Sequence, residues 1–337
     1  MPQTLKRVGV LGLGVALPER VMTNDDVAKL VDTSDDWIRT RTGIRQRRIA
    51  ADGQTTSDLS VAAARQALAA ATQALAAATL TPADLDLIIV ATMTPDMPCP
   101  SCACITQAKL GAPQAAAFDV SAACAGFVYA TLCGAGFIAS GAARHVLVVG
   151  AEVLSKVVDW TDRSTCVLFG DGAGAAILGP VATGGILSSY LGADGTKADL
   201  LKVPGGGALT PASHESVDQR LHYLKMNGIE VFKVATRAMA DAAEQALRRA
   251  GLTAADIACV IPHQANLRII AAVMDRLKVP MEKVYLNVDR YGNMSAASTI
   301  VALAEAVRDG RITPGDRVLL VAFGAGLAWG SLVIQWT

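Results

Sequence analysis

The chain has 337 residues, enough for one or two domains around a substantial core. Hydrophobic residues make up 52% of it but aromatics only 4%, so close packing of alanine-rich helices on sheets is expected. Basic and acidic residues balance at 30 each, which excludes a global electrostatic pull on nucleic acid and leaves any charged partner to a local patch.

Lys6-Arg7 followed by Val8 to Leu17 weakly imitates a signal peptide. Glycines interrupt that run and no small-residue cleavage site follows, so a first strand and turn is expected near residues 7–15. No later run is long and apolar enough to span a membrane. The seven cysteines are 99, 102, 104, 124, 133, 166 and 259. An odd count without an export signal predicts free thiols in a reducing cytoplasm. Gly12-Leu13-Gly14 follows a strand-like run, as does Gly170-Asp171-Gly172-Ala173-Gly174. Neither completes a dinucleotide fingerprint with a helix behind it and an acid further on. Tight turns and close backbone approach are the expected uses of these glycines.

An alanine-rich helix is predicted over 61–78, then Leu80-Thr81-Pro82-Ala83-Asp84-Leu85 leads into a buried strand at Leu87-Ile88-Ile89-Val90. Thr81 and Asp84 have turn and capping chemistry. Cys99-Pro100-Ser101-Cys102-Ala103-Cys104 looks like half a zinc site, but no second cysteine pair or nearby histidine completes it, so no metal is expected. Next comes Phe118-Asp119-Val120-Ser121-Ala122-Ala123-Cys124-Ala125-Gly126-Phe127, where small residues join an apolar strand to an apolar helix. Cys124 falls at or near the helix N-terminus, where the positive dipole end favours reactive thiolate. On these residues alone a buried structural cysteine competes with a nucleophile.

The chain then repeats itself. Leu252-Thr253-Ala254-Ala255-Asp256-Ile257, leading into Cys259-Val260-Ile261, echoes the segment from Leu80 at a distance of 172 residues. The strand at Val318 echoes that at Val146, and Ala296 falls opposite Cys124, at the same distance. Phe323-Gly324-Ala325-Gly326 echoes Phe169-Gly170-Asp171-Gly172 only 154 residues on, so the first half carries an insertion, expected within 155–168. Opening strands near 7–15 and 184–191 match loosely. The reading is two similar α/β halves, 1–178 with Cys124 and 179–337, with strands buried on both faces.

Of the histidines 145, 214, 222 and 263, only His263 directly follows a buried strand, in Pro262-His263-Gln264-Ala265-Asn266. Strand ends are where α/β folds present chemistry. Asn293 precedes a helix in Gly292-Asn293-Met294-Ser295-Ala296-Ala297-Ser298, where capping is its local role. Together with the Cys124 segment and Gly324-Ala325-Gly326-Leu327-Ala328-Trp329-Gly330, these motifs resemble the 3-oxoacyl-(acyl carrier protein) synthase III family. Asp35-Asp36-Trp37-Ile38-Arg39-Thr40-Arg41-Thr42-Gly43-Ile44 and Phe169 to Gly174 match too, so the likeness covers essentially the whole chain. It implies the duplicated thiolase-like fold, layered αβαβα.

The resemblance implies an acyltransferase that condenses an acyl-coenzyme A primer with malonyl carrier protein and initiates fatty-acid synthesis, without cofactor or metal. Cys124 would carry the acyl group, with its own N–H and that of Gly326 as the oxyanion hole. His263 and Asn293 would hold the thioester oxyanion of malonyl carrier protein. Trp37, Arg41, Arg163, Gly228, Phe232, Ala265 and Asn266 match coenzyme-binding positions. Lys233 and Arg268 match positions that meet the acidic acyl carrier protein, and Arg237 and Arg276 could extend that basic rim. Cys99 falls where a larger phenylalanine often closes the acyl pocket across a homodimer interface, so primers longer than acetyl are expected. A specialised relative priming a polyketide or condensing a longer acyl group would use the same residues. A silent acyl-thioester binding protein would not need all three. No nucleic-acid or membrane partner is implied.

Overall fold

The computed structural model describes residues 6–75 and 80–337. Its elements, in chain order, are β1 (Val8–Ala16), α1 (Asp35–Thr42), α2 (Thr56–Leu75), β2 (Leu87–Ala91), α3 (Cys102–Leu110), β3 (Ala116–Val120), α4 (Gly126–Ala139), β4 (Val146–Glu152) and β5 (Gly172–Pro180). Then follow β6 (Gly185–Ala193), α5 (Gly228–Ala250), β7 (Cys259–Pro262), α6 (Leu267–Leu277), α7 (Ala296–Arg308), β8 (Arg317–Gly324) and β9 (Ala328–Gln335). Short helical turns and small two-stranded pairs fill the connections.

The first sheet runs β1-β5-β4-β2-β3, with β2 parallel to both neighbours and the β1–β5 and β5–β4 pairs antiparallel. The second runs β6-β9-β8-β7, with β7 and β8 parallel and the other pairs antiparallel. Beyond β7 a single parallel bridge, Val260 to Val284, stands where β3 stands in the first sheet. Strand for strand the two sheets follow one plan. The capping residues repeat as well: Thr81 with Asp84, and Thr253 with Asp256, close the same box around a short helical turn before β2 and β7.

Helices α2 and α3 cover one face of the first sheet, and α5 and α6 cover the far face of the second. Helices α4 and α7 pack between the sheets, contacting strands of both. That is the five-layer thiolase-like arrangement. β2 and β4 are buried along their whole length because helices cover both faces, which is why they read as continuous apolar runs. The helix predicted over 61–78 starts earlier, at Thr56, and is described to Leu75; residues 76–78 lie outside the described residues.

The glycines of β1 have a packing explanation. A Cβ on Gly12 would stand 2.3 Å from the Ala67 carbonyl oxygen, and one on Gly14 would stand 2.1 Å from that of Ala63. Glycine in the strand and alanine in α2 let helix and sheet approach without side chains between them. The length difference between the halves lies where expected: residues 153–171 join β4 to β5, whereas 325–327 alone join β8 to β9. β5 continues to Pro180, so the passage between sheets falls two residues past 178.

Candidate active site

After β3 the chain crosses Ser121 and Ala122, makes one tight turn at Ala123–Ala125 and enters α4 at Gly126. Ala123 has φ +44°, a left-handed conformation costly for any residue but glycine. That turn sets Cys124 at the head of a central helix, only 6% exposed. Burial pushes its thiol up to about 12, reinforced by nearby Glu152 and opposed by Ser295, the backbone and Asn293. Burial thus opposes the thiolate that the helix N-terminus favours. A helix end supplies at most about 2 kcal/mol, while full desolvation shifts an acid by several pH units.

The end of β8 closes on this turn. A Cβ on Gly324 would stand 2.5 Å from the Cys124 backbone nitrogen and 3.0 Å from that of Ala125. Gly326, with φ +138°, occupies backbone space essentially closed to other residues and faces the same cavity. Gly324→Ala should therefore displace the Cys124 backbone. Overpacking of this kind costs about 1–3 kcal/mol. Thermal unfolding should register that loss.

His263 follows β7, its N–H donating to the Val321 carbonyl at 2.8 Å. The ring is buried, which pushes its pKa down to about 3, so the imidazole is neutral. Its Nδ1 has no hydrogen-bond partner among the described residues. The adjacent Gln264, fully buried, fixes the turn. Its Nε2 donates to the carbonyls of Pro262 and Tyr285, and its Oε1 accepts from the N–H groups of Asn287 and Val288. Gln264 thus ties the histidine turn to the segment leading toward Asn293.

Asn293 is held by the other half of the molecule. Its N–H donates to the Leu168 carbonyl at 2.9 Å, and its carbonyl accepts from Gly170 N–H at 3.0 Å. Its Oδ1 accepts from Ser295 N–H at 2.8 Å, so the amide is turned with Oδ1 committed and Nδ2 free to donate. Phe169-Gly170-Asp171 therefore braces Asn293 rather than binding phosphate. Asp171 pins the base of the brace, accepting from Ala50 N–H and from Ser155.

Cys124, His263, Asn293 and Gly326 all line one predominantly apolar cavity of about 460 Å³. Gly228, Phe232, Ala265 and Asn266 line it too. Gly228, Phe232 and Asn266 also border an outer cleft that adds Trp37, Arg41, Lys233 and Arg268. The residues expected at the coenzyme site and at the carrier-protein rim thus lie along one path from surface to thiol. The Arg163 guanidinium sits 4.2 Å over the Trp37 ring and that of Arg41 5.6 Å from it. Both cations thus lie within cation–π range of Trp37. The Asn266 side chain caps α6, its Oδ1 accepting from Arg268 N–H. Lys233 pairs with Glu230 and Arg237 with Asp241. Arg276 lies in the last turn of α6. Cys99 is exposed and does not line the cavity of its own chain.

Three contributors escaped the sequence reading. Gln264 sits inside a quoted motif, but its four bonds join segments that only folding brings together. Gly324 was seen as part of a turn, without its approach to Cys124. Glu152, fully buried and bonded to Thr92, Met93 and Thr94, reads in the sequence as the polar end of a strand.

Two family models match the chain: 3-oxoacyl-[acyl-carrier-protein] synthase III over residues 118–195, and its C-terminal counterpart over 247–336. A β-ketoacyl-[acyl-carrier-protein] synthase III from Caldanaerobacter subterraneus subsp. tengcongensis is 56% identical over 330 residues, covering 98% of each chain. The crystal structure of 3-oxoacyl-[acyl-carrier-protein] synthase III from Aquifex aeolicus VF5 matches with TM-score 0.89 at 45% identity, covering 98% of this chain and 100% of that one. The priming β-ketosynthase from the R1128 polyketide biosynthetic pathway matches with TM-score 0.90 at 39% identity, covering 100% of this chain and 98% of that one. At such identity across nearly the full length of both chains, the protein belongs to the 3-oxoacyl-(acyl carrier protein) synthase III family, acyltransferases of the thiolase-like superfamily.

Proposed function

We propose that the chain condenses an acyl-coenzyme A primer with malonyl carrier protein, releasing carbon dioxide and giving the 3-oxoacyl product that starts a fatty acid. The carrying observation is the convergence of one thiol, one neutral imidazole and one free amide donor on a single apolar cavity that opens toward a basic cleft.

Cys124 attacks the thioester carbonyl and holds the acyl group while coenzyme A leaves. The N–H groups of Cys124 and Gly326 receive the oxyanion; Gly324 gives the backbone room to reach it. Malonyl carrier protein then loses carbon dioxide. The enolate oxygen that develops is held by the N–H of neutral His263 and by Asn293 Nδ2. A buried imidazole that stays neutral serves as a donor here without adding a cation to an apolar pocket. The enolate carbon attacks the acyl-enzyme and expels Cys124. No step calls for a metal or cofactor.

The same reading assigns coenzyme A to Trp37, Arg41, Arg163, Gly228, Phe232, Ala265 and Asn266, with adenine stacking on Trp37. Lys233 and Arg268, at the mouth, meet the acidic carrier protein. The two halves, 1–178 and 179–337, act as nucleophile half and oxyanion half. A homodimer is supported by β3: it is the edge strand of the first sheet, every residue is at least partly exposed, and Phe118 packs near exposed Phe137. An uncovered edge of that kind invites pairing with a second copy. All seven cysteines are free, which suits the cytoplasm.

Across such a dimer, Cys99 would floor the partner's acyl pocket. Cys99→Phe should cut kcat/KM for six-carbon and longer primers by about tenfold or more and leave acetyl little changed. An unchanged chain-length profile removes the assignment. The function itself is tested by intact-protein mass spectrometry over a ladder of acyl-coenzyme A primers, followed by malonyl carrier protein. An acyl adduct on Cys124 that vanishes as 3-oxoacyl carrier protein forms is the expected result. An adduct that persists, or leaves without carbon–carbon bond formation, points to acyl transfer instead. The preferred primer separates fatty-acid initiation from polyketide priming.

A further inference from the structure

The condensation step needs two hydrogen-bond donors, His263 and Asn293, aimed at one oxygen. They stand on separate segments, one directly after β7 and one just before α7. Such donors stabilise developing charge only while their geometry is held. A polar network outside the cavity joins the two segments, and one carboxylate lies at its centre.

Glu305 is on α7 and is 1% exposed. Its carboxylate grips both ends of the short helical turn Val288–Tyr291, which lies between the two donors in the chain. Asn287 precedes that turn, and its Nδ2 donates to Glu305 Oε2 at 2.9 Å. Tyr291 ends the turn, and its hydroxyl donates to Oε1 at 2.7 Å. Arg290 reaches Oε1 at 3.3 Å and Oε2 at 2.8 Å, and Arg308 reaches Oε1 at 3.4 Å. A carboxylate is costly to bury unless it is paired and bonded in this way.

From Asn287 the network runs to the histidine. Asn287 is fully buried, and its N–H and that of Val288 donate to Gln264 Oε1 at 3.0 and 3.2 Å. Gln264 adjoins His263, and its Nε2 donates to the carbonyls of Pro262 and Tyr285. Asn287 Oδ1 has no hydrogen-bond partner among the described residues, so the Asn287 side chain is held through Glu305. From Tyr291 the network runs to the asparagine. Gly292 alone separates Tyr291 from Asn293, and it is held at φ +65°. A Cβ on Gly292 would stand 2.7 Å from the Leu168 carbonyl oxygen, which is the acceptor of the Asn293 N–H.

The duplicated frame offers a comparison. Opposite Glu305 on α4, 172 residues earlier, stands Cys133, exposed and free. Opposite Gln264 stands Thr92, whose hydroxyl donates to Glu152 instead. The matching helix and strand thus form without this network in the half that lacks the two donors. The network follows the site and not the fold.

We propose that Glu305 is a positioning residue for condensation. Through Asn287 and Gln264 it fixes His263, and through Tyr291 it fixes Asn293, so that both donors converge on the enolate oxygen. It touches no substrate and transfers no proton. This deepens the function proposed above and rests on His263 and Asn293 being its enolate donors.

The test assays the half-reactions apart: carbon dioxide release from malonyl carrier protein, and acylation of Cys124 by intact mass. Glu305→Ala should lower kcat for decarboxylation by about 10–100-fold, with KM for malonyl carrier protein and the acylation rate each within about threefold of wild type. Glu305→Gln, which keeps one acceptor oxygen, should recover part of the loss. Asn287→Ala and Tyr291→Phe each cut one arm and leave the carboxylate paired with Arg290, so they serve if Glu305→Ala does not fold. Each should lower decarboxylation by about threefold to tenfold. Normal decarboxylation in a folded Glu305→Ala, or in both arm variants, overturns the proposal. So does an equal fall in both half-reactions in step with lost thermal stability, which would make the carboxylate part of the fold alone. Asn293→Ala in the same assay separates the two failures. If it decarboxylates normally, the donor assignment falls and takes this proposal with it; if it is impaired beside a normal Glu305→Ala, only this proposal falls.

Discussion

Cys124→Ala should form no acyl-enzyme and lose overall condensation by at least about 10⁴-fold, yet still decarboxylate malonyl carrier protein. The two half-reactions draw on different groups. Acyl transfer needs the sulfur, and nothing else in the cavity replaces it: His263 is neutral, and the other thiols lie outside the cavity lining. Decarboxylation needs donors for the enolate oxygen, and the variant keeps both His263 and Asn293. Their positions do not depend on the thiol. His263 is fixed through Val321 and Gln264, and Asn293 through Leu168 and Gly170. Alanine fits the turn, since residues 122, 123 and 125 are already alanine, and the stability cost should stay near about 1 kcal/mol. Intact mass after acyl-coenzyme A and carbon dioxide release from malonyl carrier protein are the two readouts. Loss of both together would place the enolate donors elsewhere.

Asn293→Ala should show the opposite split, with acylation of Cys124 kept within about tenfold and condensation reduced by about 10²–10³-fold. The side chain has two jobs. Its Oδ1 accepts from Ser295 N–H and shapes the start of α7; its Nδ2 is the free donor. Alanine removes both, so part of the loss would be structural. Asn293→Asp separates them, because a carboxylate still accepts from Ser295 N–H but offers no hydrogen to an oxyanion and repels it. If the donor matters, Asp should be at least as poor as Ala in condensation while unfolding at a higher temperature than Ala. Single-turnover rates for each half-reaction, alongside thermal unfolding, decide it. An Asp variant with near-normal condensation would reduce Asn293 to a turn-former.

Local chemistry made much of this fold legible. Leu87 to Val90 reads as a doubly buried strand because a helix layer covers each face, and Thr81 with Asp84 announces the turn before it. The second appearance of that pattern at Thr253 gave away the duplication, and the opposition of Cys124 and Ala296 followed from it. Cys124, His263 and Asn293 were visible because each follows or precedes a regular element in a run of small or polar residues. What escaped was long-range. The protonation of Cys124 depends on how completely two sheets and two helices exclude water, which no neighbouring residue states. Gly324 matters through a contact with a residue two hundred positions earlier. Gln264 and Glu152 satisfy partners that are remote in the chain. Glycine pairs misread easily for the same reason: Gly12 and Gly14 answer to α2, not to a ligand.

The strap between Asn293 and Leu168–Gly170 has a consequence for biosynthesis. The thiol emerges from the ribosome early, while its histidine, its amide and the glycines of β8 and the following turn arrive near the end of translation. A nascent chain with only its first sheet formed would present a sulfur with no donors beside it and no lid over it. Closure of the last strand pair both completes the reaction centre and hides the thiol from oxidants. Competence and protection thus arrive in one folding event, and an incompletely made chain holds neither.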